Sequence, residues 1–326
     1  SAASDVYKRQ DDWYDRMKKY CDPTVYGDRA FNGWAMGGQN MCDVHLVLRR
    51  IVELRFDGLL EKGHQDWMHF LGTSKLEWAL LLTDIQRAIR KYHNENFTIS
   101  FDCASPFLAT ANGQIYVQTE ITDREKWLYR MLPSIDNKKY HQDTRLFQDA
   151  VVQDGHFTNF ETSPVMDGVK INEICIYGPN DLNKIGKIGR TSWDSFTYAI
   201  MMGHNVWMHI NAVQEANRQY DAGLYPNMLV ANKIHNKLLR QYRLSTFKEM
   251  VEEIFATSSK GKAESIVNEF ESYWRAIPGT RGYTGDSTIS ARPIADSLFD
   301  IETNFEKDKT EKPSTEVILN TSLFDI

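Results

Sequence analysis

Three short stretches of this chain carry side chains whose type and placement could do chemistry. Residues 97–101 (FTISF) read as a strand that ends in a carboxylate, Asp102. Residues 31–38 (FNGWAMGG) read as a strand running into Gly37-Gly38, and residues 67–71 (WMHFL) carry His69 in a short apolar run. A carboxylate at a strand end can attack an oxocarbenium-like sugar carbon and later leave, as in retaining glycosidases. It can equally accept backbone N–H groups of the turn that follows. A glycine pair removes the Cβ obstruction, so a flat ligand can approach the backbone, or it simply turns the chain from strand to helix. A lone histidine in an apolar run is more often structural than functional.

The elements around these residues follow from hydrophobic spacing. Val44, Val47, Leu48, Ile51 and Leu54 recur at three- and four-residue intervals, which predicts a helix over 43–54. Ser74 stands three residues before Glu77 and reads as a capping box. The helix behind it carries Trp78, Leu81, Leu82, Ile85, Ala88 and Ile89, and Asn94 and Asn96 stop it. Residues 31–102 therefore read strand, helix, strand, helix, strand. Such β-α-β units imply a parallel sheet, either doubly wound or closed into a (β/α)8 barrel. Function in both collects at the C-terminal strand ends, where Gly37-Gly38 and Asp102 lie.

The remaining chain is less regular. Residues 11–22 suggest a short helix, residues 114–119 (QIYVQT) alternate like an exposed strand, and residues 169–177 (VKINEICIY) alternate similarly. A long helix is expected over 193–221, and two helices over 246–275 separated by the polar stretch 257–262. Lys233, Lys237, Arg240 and Arg243 sit at near-helical spacing and read as a solvated helix face rather than a nucleic-acid stripe. From Asp300 the chain is charged and reads as a flexible tail.

Bulk properties narrow the classes. The chain has 326 residues, 42% apolar and 25% charged, as a globular protein has. A net charge of −6 counts against a generally basic nucleic-acid binder, although a local basic stripe can act inside an acidic protein. The four cysteines, Cys21, Cys42, Cys103 and Cys175, form no CxxC pair, which fits a reducing cytoplasm. No stretch reaches the roughly 20 apolar residues of a membrane span. The first ten residues (SAASDVYKRQ) resemble a translated sequencing adapter and are set aside. The natural protein is therefore expected to be longer.

Taken in order, several segments resemble the tRNA-guanine transglycosylase (queuine tRNA-ribosyltransferase) family. Residues 33–38 (GWAMGG) resemble its GYAIGG segment. Phe101-Asp102-Cys103 with Pro106 and Ala111-Asn112-Gly113 resembles FDCVxPTRxxRNG, and His204-Asn205 resembles its closing HNL helix. Residues 48–53 (LRRIVE) and 70–73 (FLGT) also fall in the family's order. The likeness covers roughly residues 31–223, about half the family domain. It implies the C-terminal part of a TIM (β/α)8 barrel over residues 11–225, with a helical extension over 226–299 and the tail over 300–326. It also implies a cytoplasmic pentosyltransferase that replaces guanine in RNA by a 7-deazaguanine base such as queuine or preQ1. Asp102 would be the covalent nucleophile, and no cofactor is needed. Gly37 and Gly38 would meet the base through their backbone. Gln39 stands where the family has leucine, Asp43 where it has glutamate, and His69 where it tends to have methionine near the base. Asn112 and Gly113 match the family's substrate-side segment. A homodimer is the expected assembly.

Two departures matter. Residues 105–113 contain no arginine, which puts the usual anticodon-loop readout in question and leaves DNA as an alternative substrate. Only Cys175 and His204 fall where the family holds zinc with three cysteines and a histidine, so no metal is expected. The strands around Gln114 and Ile174 are expected to replace it as a packing element. Half a barrel is expected to be inactive alone. The rival readings are a non-catalytic RNA-binding subunit of such an enzyme and an unrelated barrel enzyme acting on a small molecule.

Overall fold

The structure is a computed structural model, and it describes residues 11–63, 65–133, 140, 142–149, 161–174, 195–236 and 241–279. A first helix, α1 (residues 11–17), precedes β1 (Gly33–Met36), α2 (Val44–Phe56), β2 (Trp67–Phe70), α3 (Leu76–Tyr92) and β3 (Thr98–Phe101). The strands form one parallel sheet in the order β1-β2-β3, with Met36, Phe70 and Phe101 in register. Alternation along β2 separates two faces. Met68 and Phe70 are fully buried with the apolar sides of α2 and α3, while Trp67 and Leu71 are each 46% exposed on the other face.

Local chemistry sets the helix limits. The Asp43 carboxylate accepts from the Leu46 amide (3.3 Å) and starts α2, and Gly58 (φ 74°) follows its end. The Ser74–Glu77 capping box does not form. Lys75 occupies the N-cap without a side-chain bond, and Ser74 is buried. At the other end of α3, Asn94 Nδ2 donates to the Leu60 carbonyl and Asp66 Oδ1, which ends the helix where the two asparagines were expected to.

Beyond β3, α4 (Ser105–Ala111) leads into the antiparallel pair β4 (Gln114–Ile121) and β5 (Trp127–Pro133). The start of β4 is buried rather than exposed, because α6 (Ser195–Asp221) lies on it. Residues 169–177 do not form the alternating strand expected. Ile171–Ile174 is a single helical turn, α5, and residues 175–177 lie outside the described part. Ile171 and Ile174 nonetheless pack with Ile115, Val117, Phe147 and Met201 in a second, smaller core. Lys233 and Arg243 do not share a helix face. They pair across the hairpin of β6 (Val230–Asn236) and β7 (Gln241–Thr246), while residues 237–240 lie outside the described part.

The chain then forms α7 (Phe247–Ala256), α8 (Lys260–Glu269) and α9 (Glu271–Ala276), three helices where two were expected. Phe247, Met250, Val251, Ile254, Phe255 and Trp274 join the same core as α2 and α3. Polar ties cross this contact: Trp78 Nε1 donates to the Pro278 carbonyl (2.7 Å) and Arg55 to the Ile254 carbonyl (3.3 Å). No described helix is long and apolar enough to cross a membrane. The parallel strands among the described residues number three, so the expected closed barrel stays an expectation.

Candidate active site

The register places three rows of side chains on the sheet face turned away from the helices. Gly33, Trp67 and Thr98 form one row, and Ala35, His69 and Ser100 the next. One step further along each strand come Gly37, Leu71 and Asp102, at the C-terminal edge. Asp102 and Gly37 are thus separated by two strand spacings, about 10 Å.

Asp102 is held at its backbone and its side chain. Its carbonyl accepts the Thr73 amide (2.8 Å) and its amide donates to the Phe70 carbonyl (3.4 Å). Its Oδ1 accepts the Gly72 amide (3.3 Å) and faces His69 Nε2 (3.1 Å). Oδ2 makes no hydrogen bond among the described residues, and the side chain is 62% exposed. Gly72 (φ 74°) is where the left-handed backbone is needed, since it turns the 71–73 segment so that its amide meets the carboxylate. The two sequence readings of Asp102 are therefore compatible: one oxygen caps a turn and the other is open.

His69 is fixed from its far side. Its Nδ1 lies 2.8 Å from Ser100 Oγ, and Ser100 Oγ also accepts the Trp67 indole N–H (2.8 Å). Ser100 and Trp67 were not among the expected site residues. The signal that could have found them is the two-residue strand period, which puts Trp67 with His69 and Ser100 with Asp102 on one face.

The other expected residues separate into two groups. Gly37 sits at the edge, where an added Cβ would come within 2.9 Å of Leu71 Cδ1, and Gly38 is left-handed (φ 60°). Gln39 lies in the following 3-10 turn, Gly38–Cys42, and its side chain lies outside the description. Asp43 is engaged as the α2 N-cap. Asn112 and Gly113 end α4: the Asn112 side chain donates back to the Leu108 carbonyl (3.0 Å) and Gly113 is left-handed (φ 71°). Among the described residues no hydrogen bond joins these two to Asp102, and the end of a helix accounts for both.

His204 and Asn205 act as a clamp. His204 engages Ser163 Oγ and the Tyr116 carbonyl, both at 2.8 Å, and burial pushes its pKa down to about 4. Asn205 accepts the Tyr116 amide (2.9 Å) and donates to Thr110 Oγ1 (2.8 Å), joining α6, β4 and α4. Both ring nitrogens of His204 are thus committed to protein groups, and Cys175 lies outside the described residues.

A rival nucleophile stands beside Asp102. Cys103 Sγ lies 3.3 Å from His209 Nε2. Burial pushes the thiol up to about 11 and the imidazole down to about 4, so the pair is neutral and the thiolate is scarce at neutral pH. The open carboxylate is the better nucleophile. Two hollows flank the sheet. One of about 760 Å³ runs along β1, lined by Trp13, Tyr14, Phe31, Trp34, Gly37 and Arg50. The other, about 410 Å³, lies over Asp102, Cys103, Phe107, His209 and Ile210. The larger hollow does not touch Asp102, whereas the smaller does, and the aromatic lining of the larger suits a planar group.

No protein-family model, no curated protein and no solved structure matches the chain.

Proposed function

We propose that this chain carries the nucleophile of a pentosyltransferase that exchanges a purine-like base in a nucleic acid. The observation that supports it best is Asp102 itself: an exposed carboxylate held through one oxygen, on the same sheet edge as Gly37-Gly38. In the first displacement Asp102 Oδ2 attacks C1′ of the ribose. The C1′–N bond breaks and the base leaves with its electron pair. In the second, a ring nitrogen of the incoming base attacks C1′, the ester bond breaks, the nitrogen's proton passes to water and the carboxylate is regenerated. Two inversions retain the anomeric configuration. No cofactor is needed for either step.

The resemblance to the transglycosylase family favours guanine in RNA, in the first place tRNA, as the leaving base and a 7-deazaguanine such as queuine or preQ1 as the entering one. The arginine-free segment 105–113 keeps DNA as the alternative substrate. The test is adduct trapping on the full-length protein with guanine-containing RNA and DNA strands. The expected result is a denaturant-stable adduct that disappears in Asp102→Ala. An adduct that persists in that variant overturns the assignment. Binding without any adduct, in the complete protein, supports a non-catalytic RNA-binding subunit instead.

A further inference from the structure

Resting on that reading, we propose that His69 is a positioning residue whose role is to release the covalent intermediate. The Trp67 indole can only donate, so it occupies one lone pair of Ser100 Oγ. Asp102 Oδ1 can only accept, so the Nε2 that faces it carries the proton; a neutral His69 is then bare at Nδ1 and accepts the Ser100 hydroxyl proton. A neutral ring accepting at Nδ1 carries its own proton on Nε2, which faces Asp102 Oδ1. A protonated ring donates from both nitrogens, and Ser100 Oγ has a second lone pair to receive it. In either state an N–H points at the carboxylate.

Geometry excludes direct proton transfer from His69 to the base. In-line attack by Oδ2 puts the departing nitrogen on the far side of C1′. The attack distance alone is about 3 Å, and the C1′–N bond lies beyond it. His69 is on the near side, bonded to the other oxygen of the same carboxylate, so it acts through Asp102.

The two displacements feel that bond differently. A hydrogen bond to an ionised acceptor is stronger than one to a neutral acceptor. Esterification removes the charge of Asp102, so the bond holds the first step back slightly. In the second step the C1′–Oδ2 bond breaks, and its electron pair returns to the carboxylate and spreads onto Oδ1. There the His69 and Gly72 donors receive it. The new C1′–N bond forms, and the N–H proton of the incoming base passes to water. His69 therefore speeds the step that regenerates charge and shortens the time the nucleic acid stays esterified.

The experiment measures two rate constants on the full-length protein with a labelled RNA hairpin: adduct formation without incoming base, then adduct release after preQ1 is added. His69→Leu is expected to slow release roughly 10- to 100-fold while formation is unchanged or faster. His69→Gln keeps an N–H donor and is expected to restore release to within a few-fold. Ser100→Ala, which leaves the ring but frees its tautomer, is expected to fall between. Equal slowing of both steps in His69→Leu, or unslowed release, overturns the proposal while leaving base exchange intact. Absence of adduct in the parent protein overturns base exchange itself, and this inference with it.

Discussion

Asp84 presents a second carboxyl problem, opposite to that of Asp102. It sits on α3 at 1% exposure and accepts the Tyr220 hydroxyl from α6 at 2.5 Å. Burial raises its pKa from 3.8 to about 7, against the Tyr220 hydrogen bond and the nearby Arg87 and Lys248 charges. The folded state thus binds a proton more tightly than the unfolded chain. The stability this contributes is full below about pH 4 and is lost as pH rises through about 7. The parent protein is expected to lose roughly 1–3 kcal/mol between pH 5 and 8 from this group, a value discounted from the full linkage limit. Asp84→Asn should flatten that slope in thermal unfolding measured across the range; an unchanged slope would show that Asp84 is not its source. At this scale the sequence was partly legible. Asp102 and the glycine pair stand out by their place at strand ends, whereas His69 alone reads as structural until its partners are known. Ser100 and Trp67 do not stand out, because serine and tryptophan gain their role only when the register sets them beside His69.

At the scale of elements, one sequence pattern has two outcomes. Thr246 and Glu249 form a complete capping box at the start of α7. Ser74 and Glu77 have the same spacing and do not. The difference lies upstream: Thr73 is already bonded to the Asp102 carbonyl, so the site turn dictates how the chain enters α3. Thr246→Ala is expected to cost about 1 kcal/mol in denaturant unfolding. The long helices were legible because apolar spacing persists over several turns. The β6–β7 pairing was not, because cations at 233, 237, 240 and 243 imitate a helical stripe, although 233 and 243 lie opposite each other on two antiparallel strands. Residues 169–177 misled in the opposite sense, since alternation over so short a run does not separate a strand from the helical turn found at Ile171–Ile174.

At the scale of the molecule, the expected boundary after residue 225 falls inside a continuous core. Phe255 on α7 is buried with Leu81, Ile85 and Ile89 of α3. Phe255→Ala is expected to cost about 3–5 kcal/mol. Far-UV dichroism and hydrogen exchange of the β1–β3 amides should then report one shifted midpoint. Two separate midpoints would mean that the C-terminal helices fold independently. Apolar periodicity identifies helices but not which surfaces they cover, so this sharing of the core was not readable beforehand. A consequence reaches back to the carboxylate from two strands away. Gly33 has no Cβ, and one built there would lie 2.7 Å from Trp67 Cε3. The indole that occupies this space steers Ser100, Ser100 steers His69, and His69 meets Asp102. A side chain at position 33 would have to displace the Trp67 ring and, through this chain of bonds, would loosen the hold on His69 and Asp102. Under the base exchange proposed above, a larger residue at position 33 is expected to lengthen the life of the Asp102 adduct without touching Asp102 itself.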